Sequence, residues 1–301
     1  MISSCEMVQD REPGQNDEAQ LPAPKTNGLV KSIAPQSHSP RSLEDVARDL
    51  DARVTAFLAE EAPNDVLKAT QEQVRTALET IGTALRQYEH SELSVAYNGG
   101  KDCLVLLVLI IAALARRYPR DGVPSDPSAP AAPPTPFPTT LQAVYVVSQH
   151  PFAEVDTFVE DTSREYHLDL VAYALPMRAA LAAYLGDHQG VKAVFVGTRR
   201  TDPHGESLTF FDKTDTHMGW PDFMRVHPVI DWHYAEIWAF VRHLQIPYCP
   251  LYDLGYTSLG GTTDTLPNPA LKKADKADGQ GFRPAYELMA DNEERLGRDR
   301  S

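Results

Sequence analysis

Apolar positions change their period several times along this chain, and each change marks an element. After Ser42-Leu-Glu-Asp, which offers a cap and an acidic first turn, Val46, Leu50, Val54, Phe57 and Leu58 recur at helical spacing. A second amphipathic helix follows over about 64–88, with Val66, Leu67, Val74, Leu78, Ile81 and Leu85 on one face. The period then shortens. Leu93, Val95 and Tyr97 alternate with small residues, as a buried strand end would, and Asn98-Gly99-Gly100 supplies a turn in which positive φ is cheap. From Cys103 to Ala115 the run is continuously apolar, enough for a buried helix of about three turns. LQAVYVVSQ (141–149), LDLVAYAL (168–175) and VKAVFVGT (191–198) read as further buried strands, with helices over 153–166, 176–189 and 233–244. The order βαβαβαβ predicts a doubly wound, mostly parallel α/β sheet of Rossmann-like type, covered on one side by the N-terminal helix pair.

Three stretches resist this pattern. Residues 1–42 are rich in Pro, Ser, Gln, Asp and Glu with few large apolar residues, which predicts a disordered acidic tail ahead of one domain over 43–301. Residues 119–140 carry eight prolines and read as a loop insertion on the domain surface. Residues 246–271 are irregular, with regularly placed glycines and prolines, and a stretch of this kind is usually functional or a tail; together with the remainder to 301 they form a C-terminal extension.

Composition narrows the choice of function. With 28 basic and 42 acidic side chains the chain has a formal charge of −14, which argues against a general nucleic-acid binder but not against a local nucleotide site. The three cysteines, Cys5, Cys103 and Cys249, are too few and scattered for a disulfide framework or a Cys-rich zinc site. The histidines at 204, 217, 227 and 233 match no usual metal-ligand spacing. Neither a targeting presequence nor an apolar run of roughly 18 residues is evident, so a cytoplasmic protein without membrane or nucleic-acid partners is expected, as a monomer acting on small molecules.

The chemistry concentrates at predicted strand ends. A helix that starts just after Gly99-Gly100 aims free N–H groups and a positive dipole end at whatever sits there, typically a phosphate, and Lys101 adds a mobile positive charge beside it. Asp102 would repel phosphate unless a metal intervened, or it could brace the loop. Neither GxxxxGK[ST] nor GxGxxG is present; GGKD instead resembles the pyrophosphate loop of the PP-loop ATP pyrophosphatases. In GTRRTDPHG (197–205), Arg199 or Arg200 could grip a phosphate with its planar fork and Asp202 could hold a metal or accept from a ligand, unless the segment is simply a salt-bridged turn. The block FFDKTDTHMGWPDFMRVHPVIDW (210–232) offers aromatic walls with a few polar groups, suited to a flat heterocycle. Asn98–Asp102, Val147–Gln149 and Gly197–Asp202 all fall beyond strand ends, where doubly wound sheets bind ligands.

Taken in order, AYNGGKDC, GTRRTDP, TD…WPDFMRVHPVIDW, IPYCPLYDLGYTSLG, NPAL and DNEERLGR make residues 43–301 similar to the eukaryotic, fungal-type FAD synthetases (FMN adenylyltransferases), relatives of PAPS reductase in the PP-loop group. A PAPS reductase would need a nucleophilic cysteine near its C-terminus, and none follows Cys249. The resemblance implies an adenine nucleotide α-hydrolase-like fold and transfer of AMP from ATP to FMN, giving FAD and pyrophosphate, with Mg²⁺ held through substrate phosphates. It assigns catalysis to Asn98, Asp102, Asp202 and Arg295. ATP is assigned to Ala96, Tyr97, Asn98, Gly99, Gly100, Lys101, Asp102, Val147, Gly197 and Arg199. The flavin is assigned to Arg200, Asp202, Asp215, Trp220, Arg225, Arg295 and Arg298, the last two reaching back to the FMN phosphate. Two departures stand out: Ala96 occupies the usual serine position, and the interval from Asp215 to Trp220 is about two residues longer than usual. The alternatives are a flavin- or nucleotide-binding regulator without turnover, an adenylyltransferase for another acceptor, and an ATP-dependent sulfur-transfer enzyme.

Overall fold

The computed structural model describes residues 30–33, 41–119, 136–274 and 281–298. Two N-terminal helices, α1 (Leu43–Ala59) and α2 (Asp65–Gln87), begin where their caps require. Ser42 and Asp45 exchange side-chain and backbone bonds in a capping box, and Asn64 accepts from the Leu67 amide. The strand β2 (Leu93–Ala96) is buried along its whole length and leads through the glycine turn into α3 (Lys101–Arg117). All residues of α3 from Lys101 to Ala115 are buried, because the helix lies beneath α1, α2 and α6 (Tyr234–His243) as well as against the sheet.

The sheet continues through β3 (Leu141–Val146), α4 (Ala153–Glu165), β4 (Leu168–Tyr173), α5 (Met177–Asp187) and β5 (Ala193–Phe195). The strand order is β1-β4-β3-β2-β5-β7-β6, with β2, β3, β4, β5 and β7 parallel. The chain steps from β2 to β3 to β4 in one direction and returns through α5 to β5 on the other side of β2. That reversal puts the switch point at the carboxyl end of β2, where Asn98–Asp102 sit. The doubly wound, mostly parallel sheet read from the sequence is thus observed.

Both sheet edges are antiparallel additions absent from the βαβ pattern. One is β1 (Val30–Ile33) on β4; the other is β6 (Phe211–Lys213), folded back on β7 (Met224–Val226). Within the stretch read as an acidic tail, residues 30–33 form β1, a four-residue run too short to stand out by period. The rest of that stretch, apart from Arg41 and Ser42 at the start of α1, lies outside the described residues, as does most of the Pro-rich segment (120–135). Residues 136–140 carry neither helix nor strand. Beyond α6 the chain is irregular, as its glycines and prolines predict, with single-turn 3₁₀ helices at Pro250–Leu254, Pro269–Leu271, Ala285–Glu287 and Asp291–Glu293. No helix among the described residues is long and apolar enough to cross a membrane.

Candidate active site

The turn between β2 and α3 is built for close approach. Gly99 has φ +73°, and a Cβ there would lie 2.9 Å from Val159 of α4, so both backbone freedom and space require glycine. The Asn98 side chain accepts from the Gly100 amide at 2.9 Å, and among the described residues nothing takes up its Nδ2 donors. Across β2, Gly197 follows β5 and presses on the start of α3: a Cβ would meet Cys103 Sγ at 2.9 Å and Cys103 N at 3.0 Å. Ala96 and Tyr97 are buried, with Tyr97 Oη 2.8 Å from Thr162 Oγ1, so the tyrosine ring is part of the core and only its backbone faces the loop. Val147 is half-buried at the end of β3 and its amide donates to the Tyr173 carbonyl.

Lys101 is not the mobile cation its position suggests. It is fully buried, its amide donates to Tyr252 Oη at 2.9 Å, and its Nζ donates to Asp102 at 3.1 Å and to Glu294. The ammonium also lies 5.0 Å from the centre of the Tyr234 ring. Asp102 takes the bracing alternative, held between Lys101 and Arg199.

Arg199 is equally enclosed, so its guanidinium binds protein carboxylates. Nε makes an ion pair with Asp102 Oδ1 at 2.9 Å without hydrogen-bond alignment, Nη2 lies 3.5 Å from Asp202 and bonds Glu294, and Nη1 is 3.7 Å from Asp291. Nε and Nη1 both lack a hydrogen-bond partner among the described residues. The backbone amide of Arg199 donates to Asp202 Oδ2 at 2.8 Å. Gly205 closes this turn, with space for no Cβ because the Arg199 carbonyl would lie 2.2 Å from it.

Two cations and three carboxylates therefore share one buried volume. Burial favours the neutral form of each, and neighbouring charges decide the outcome. For Asp202 burial prevails, aided by Asp102 and Glu294, and the carboxyl is pushed up to about 6 despite Arg199. For Glu294 burial also pushes upward, but Arg199 and Lys101 outweigh it and hold the carboxyl below its usual range. Burial opposes the charge on Arg199, and Asp102, Glu294 and Asp202 more than restore it.

The second arginine of the pair is engaged elsewhere. Arg200 binds Asp231 at 2.6 Å and donates to the carbonyls of Glu206 and Leu208, stapling the loop after the strand rather than presenting a free fork. In the aromatic block, Asp215 is exposed and caps the turn Thr216–Met218 by accepting from the His217 and Met218 amides. The lengthened interval before Trp220 is accommodated by that turn, which leaves Met218 half-exposed. Trp220 is half-buried with the Arg178 guanidinium 5.3 Å from a ring centre. Arg225, on β7, has its charged form disfavoured by burial. His227 is fully buried, bonded to the Thr209 carbonyl at 3.0 Å, and burial lowers it to about 4, so it is a neutral ring.

The C-terminal extension closes one end of the loop. Thr257 Oγ1 donates to the Glu294 carbonyl at 2.5 Å, and Asn268 Nδ2 donates to Thr257 Oγ1 and to the Glu293 carbonyl, both at 2.8 Å. Arg298 lies against Ser258, the Leu259 carbonyl and Asp264, and the segment 261–265 meets the end of β3 through a Thr262 N–H to His150 carbonyl bond of 2.7 Å. Glu294, Asn268, Thr257 and Tyr234 were not singled out from sequence. Their motifs DNEERLGR and NPAL were noticed, but a glutamate among tail charges and an asparagine before proline carry no burial signal.

With a glycine turn at the switch point of a mostly parallel sheet, braced by a returning C-terminal strap, the fold is of the PAPS reductase-like, adenine nucleotide α-hydrolase type. The phosphoadenosine phosphosulfate reductase domain matches residues 92–184 and 174–267. A probable FAD synthase of Schizosaccharomyces pombe is 39% identical over 238 residues, 79% of this chain and 83% of that protein. Candida glabrata FMN adenylyltransferase, solved with FMN and an ATP analogue, is 29% identical with a TM-score of 0.76, covering 86% of this chain and 98% of that one. Yeast FAD synthetase in complex with FAD superposes with a TM-score of 0.76 at 28% identity, covering 86% of this chain and all (100%) of its own. The chain belongs to the FAD synthase family, the FMN adenylyltransferases, and is a nucleotidyltransferase.

Proposed function

We propose that the turn Asn98–Asp102 receives the phosphates of ATP and that FMN enters from the side of Asp215, Trp220 and Arg225, so that the FMN phosphate attacks the α-phosphorus and pyrophosphate leaves. The observation that carries this reading is the fully buried Lys101. The lysine of the loop is closed off by Asp102 and Glu294 and is no candidate to take the adenylyl group. The phosphate of FMN is already an anion near neutral pH and needs no general base. What it needs is to be held in line with a second anion, so catalysis comes from positioning and charge stabilisation.

Each residue then has a limited task. The Asn98 Nδ2 group and the turn amides receive phosphate oxygens, and Arg295 supplies positive charge toward the reacting phosphates. Asp215, whose Oδ1 is spent on its own turn, offers Oδ2 to the flavin ring. Asp102 and Asp202 keep Arg199 and the loop in place rather than touching the nucleotide. A Mg²⁺ ion held through the phosphates of ATP would supply Lewis-acid charge neutralisation there. Asp102, Asp202 and Glu294 are committed to Lys101 and Arg199, which fits a metal held mainly through the substrate. The protein is expected to act as a cytoplasmic monomer. The test is to mix it with ATP, Mg²⁺ and FMN and separate the products: equal amounts of FAD and pyrophosphate are expected. FMN and ATP bound without FAD would point to a silent binder and make Ala96→Ser the first substitution to try; neither bound would overturn the reading.

A further inference from the structure

Glu294 is a buried carboxylate shared between two buried cations. One oxygen meets Lys101, the first residue of α3, and the other meets Arg199 at the end of β5. Its backbone carbonyl is held by Thr257, and the preceding carbonyl by Asn268, a fully buried side chain. One residue thus joins the phosphate turn, the neighbouring strand end and the C-terminal extension. A buried ion pair adds little to stability compared with an apolar replacement, but it fixes geometry strongly because few arrangements satisfy every charge. The turn that follows is equally constrained. Leu266 N–H donates to the Gly297 carbonyl at 2.8 Å, and a Cβ on Gly297 would lie 2.3 Å from the Leu266 carbonyl. Arg295 leaves the chain between these two anchors.

We propose that Glu294 is a positioning residue for adenylyl transfer: by bridging Lys101 and Arg199 it registers the C-terminal segment on the phosphate turn and so sets where the Arg295 guanidinium stands relative to the reacting phosphates. This rests on the assignment of Arg295 to those phosphates. Lys101 is then the other half of the same device, a buried counter-charge for Glu294 rather than a phosphate ligand. Arg295 is one of several groups assigned to the two substrates, so loosening the tie displaces one charge at the reacting phosphates and weakens transfer more than binding.

The test is a kinetic cycle on the full chain with Glu294→Gln, Arg295→Ala and the double variant. Glu294→Gln is expected to lower kcat for FAD formation at least tenfold, with KM for ATP and FMN within about threefold of the original. The double variant should turn over at the rate of Arg295→Ala, because a residue acting through Arg295 has nothing left to position once it is gone. A merely structural glutamate would give effects that multiply. If Glu294→Gln does not fold, Lys101→Met loosens the tie from the other side and should show the same loss and the same dependence on Arg295. Multiplying effects beside an impaired Arg295→Ala, or a loss confined to KM, would overturn the proposal alone. Arg295→Ala at full rate would remove Arg295 from the reaction and overturn the assignment together with the proposal.

Discussion

The central sheet with α3 and the C-terminal strap from 246 onward meet at one site but are held by different forces. The apolar run of α3 is buried without exception from Cys103 to Ala115, and β2 is buried throughout, so that region is fixed by area removed from water. The strap also buries Cys249, Leu251, Leu271 and Leu288, but its longest helical turn has five residues and individual polar contacts add to its attachment: Tyr252 to Lys101, Asn268 to Thr257 and Glu293, and Glu294 to Lys101 and Arg199. A close-packed, buried sheet gives a rigid base. A strap that adds directional bonds takes up one register or none. The site uses the first for its phosphate turn and the second for the groups that must face it.

The largest test of this contrast is Arg199→Leu, which leaves Asp102, Asp202 and Glu294 with Lys101 as their one buried cation. Removing one partner from such a network costs about 3–5 kcal/mol, read by urea unfolding at pH 8. The loss should shrink toward pH 5 as Asp202 takes up a proton. A change below about 1 kcal/mol would mean the network is not what holds the strap. Leu107→Ala, in the fully buried middle of α3, should cost about 2–5 kcal/mol of global stability while leaving KM for FMN unaltered. A changed KM with intact stability would blur the distinction between base and strap.

Within the site the effects are smaller and kinetic. Asn98→Ala should lower kcat by about a hundredfold, the scale of one lost transition-state donor, with FMN affinity little altered; equal loss of both would contradict its role. Asp215→Ala should raise KM for FMN by about tenfold, roughly the worth of a hydrogen bond to a charged group, and an unchanged KM would remove it from the flavin side.

One further test, separate from the kinetics, is a titration. The folded-state value of about 4 for His227 lies below the ordinary 6.5, so the neutral ring contributes stability that is present above pH 6.5 and lost as pH falls toward 4. A proton–nitrogen spectrum at pH 5.5 should show the ring neutral; a charged ring there would contradict its burial.

How much was legible follows the same division. The alternation at Leu93–Tyr97, the Gly-Gly break and the apolar run after Cys103 placed the turn between β2 and α3, because burial writes itself as period. The ordering of AYNGGKDC, GTRRTDP and DNEERLGR indicated the family. The directions of Lys101, Arg199 and Arg200 did not follow, since a basic residue beside a phosphate turn reads the same whether it meets a ligand or a buried carboxylate. Glu294 was invisible for the converse reason: its partners lie 193 and 95 positions away. The β6–β7 hairpin was hidden by aromatic and charged residues that dilute its alternation over strands of three residues each.

In the proposed reaction these two regions hold ATP and FMN in line and no side chain takes the adenylyl group. The most direct measurement is the stereochemical course at phosphorus, using ATP made chiral at its α-phosphorus. A single in-line displacement by FMN inverts that centre, and FAD of inverted configuration is the predicted result. Retention would require two successive displacements through an adenylated residue, and would contradict a site that works by positioning alone.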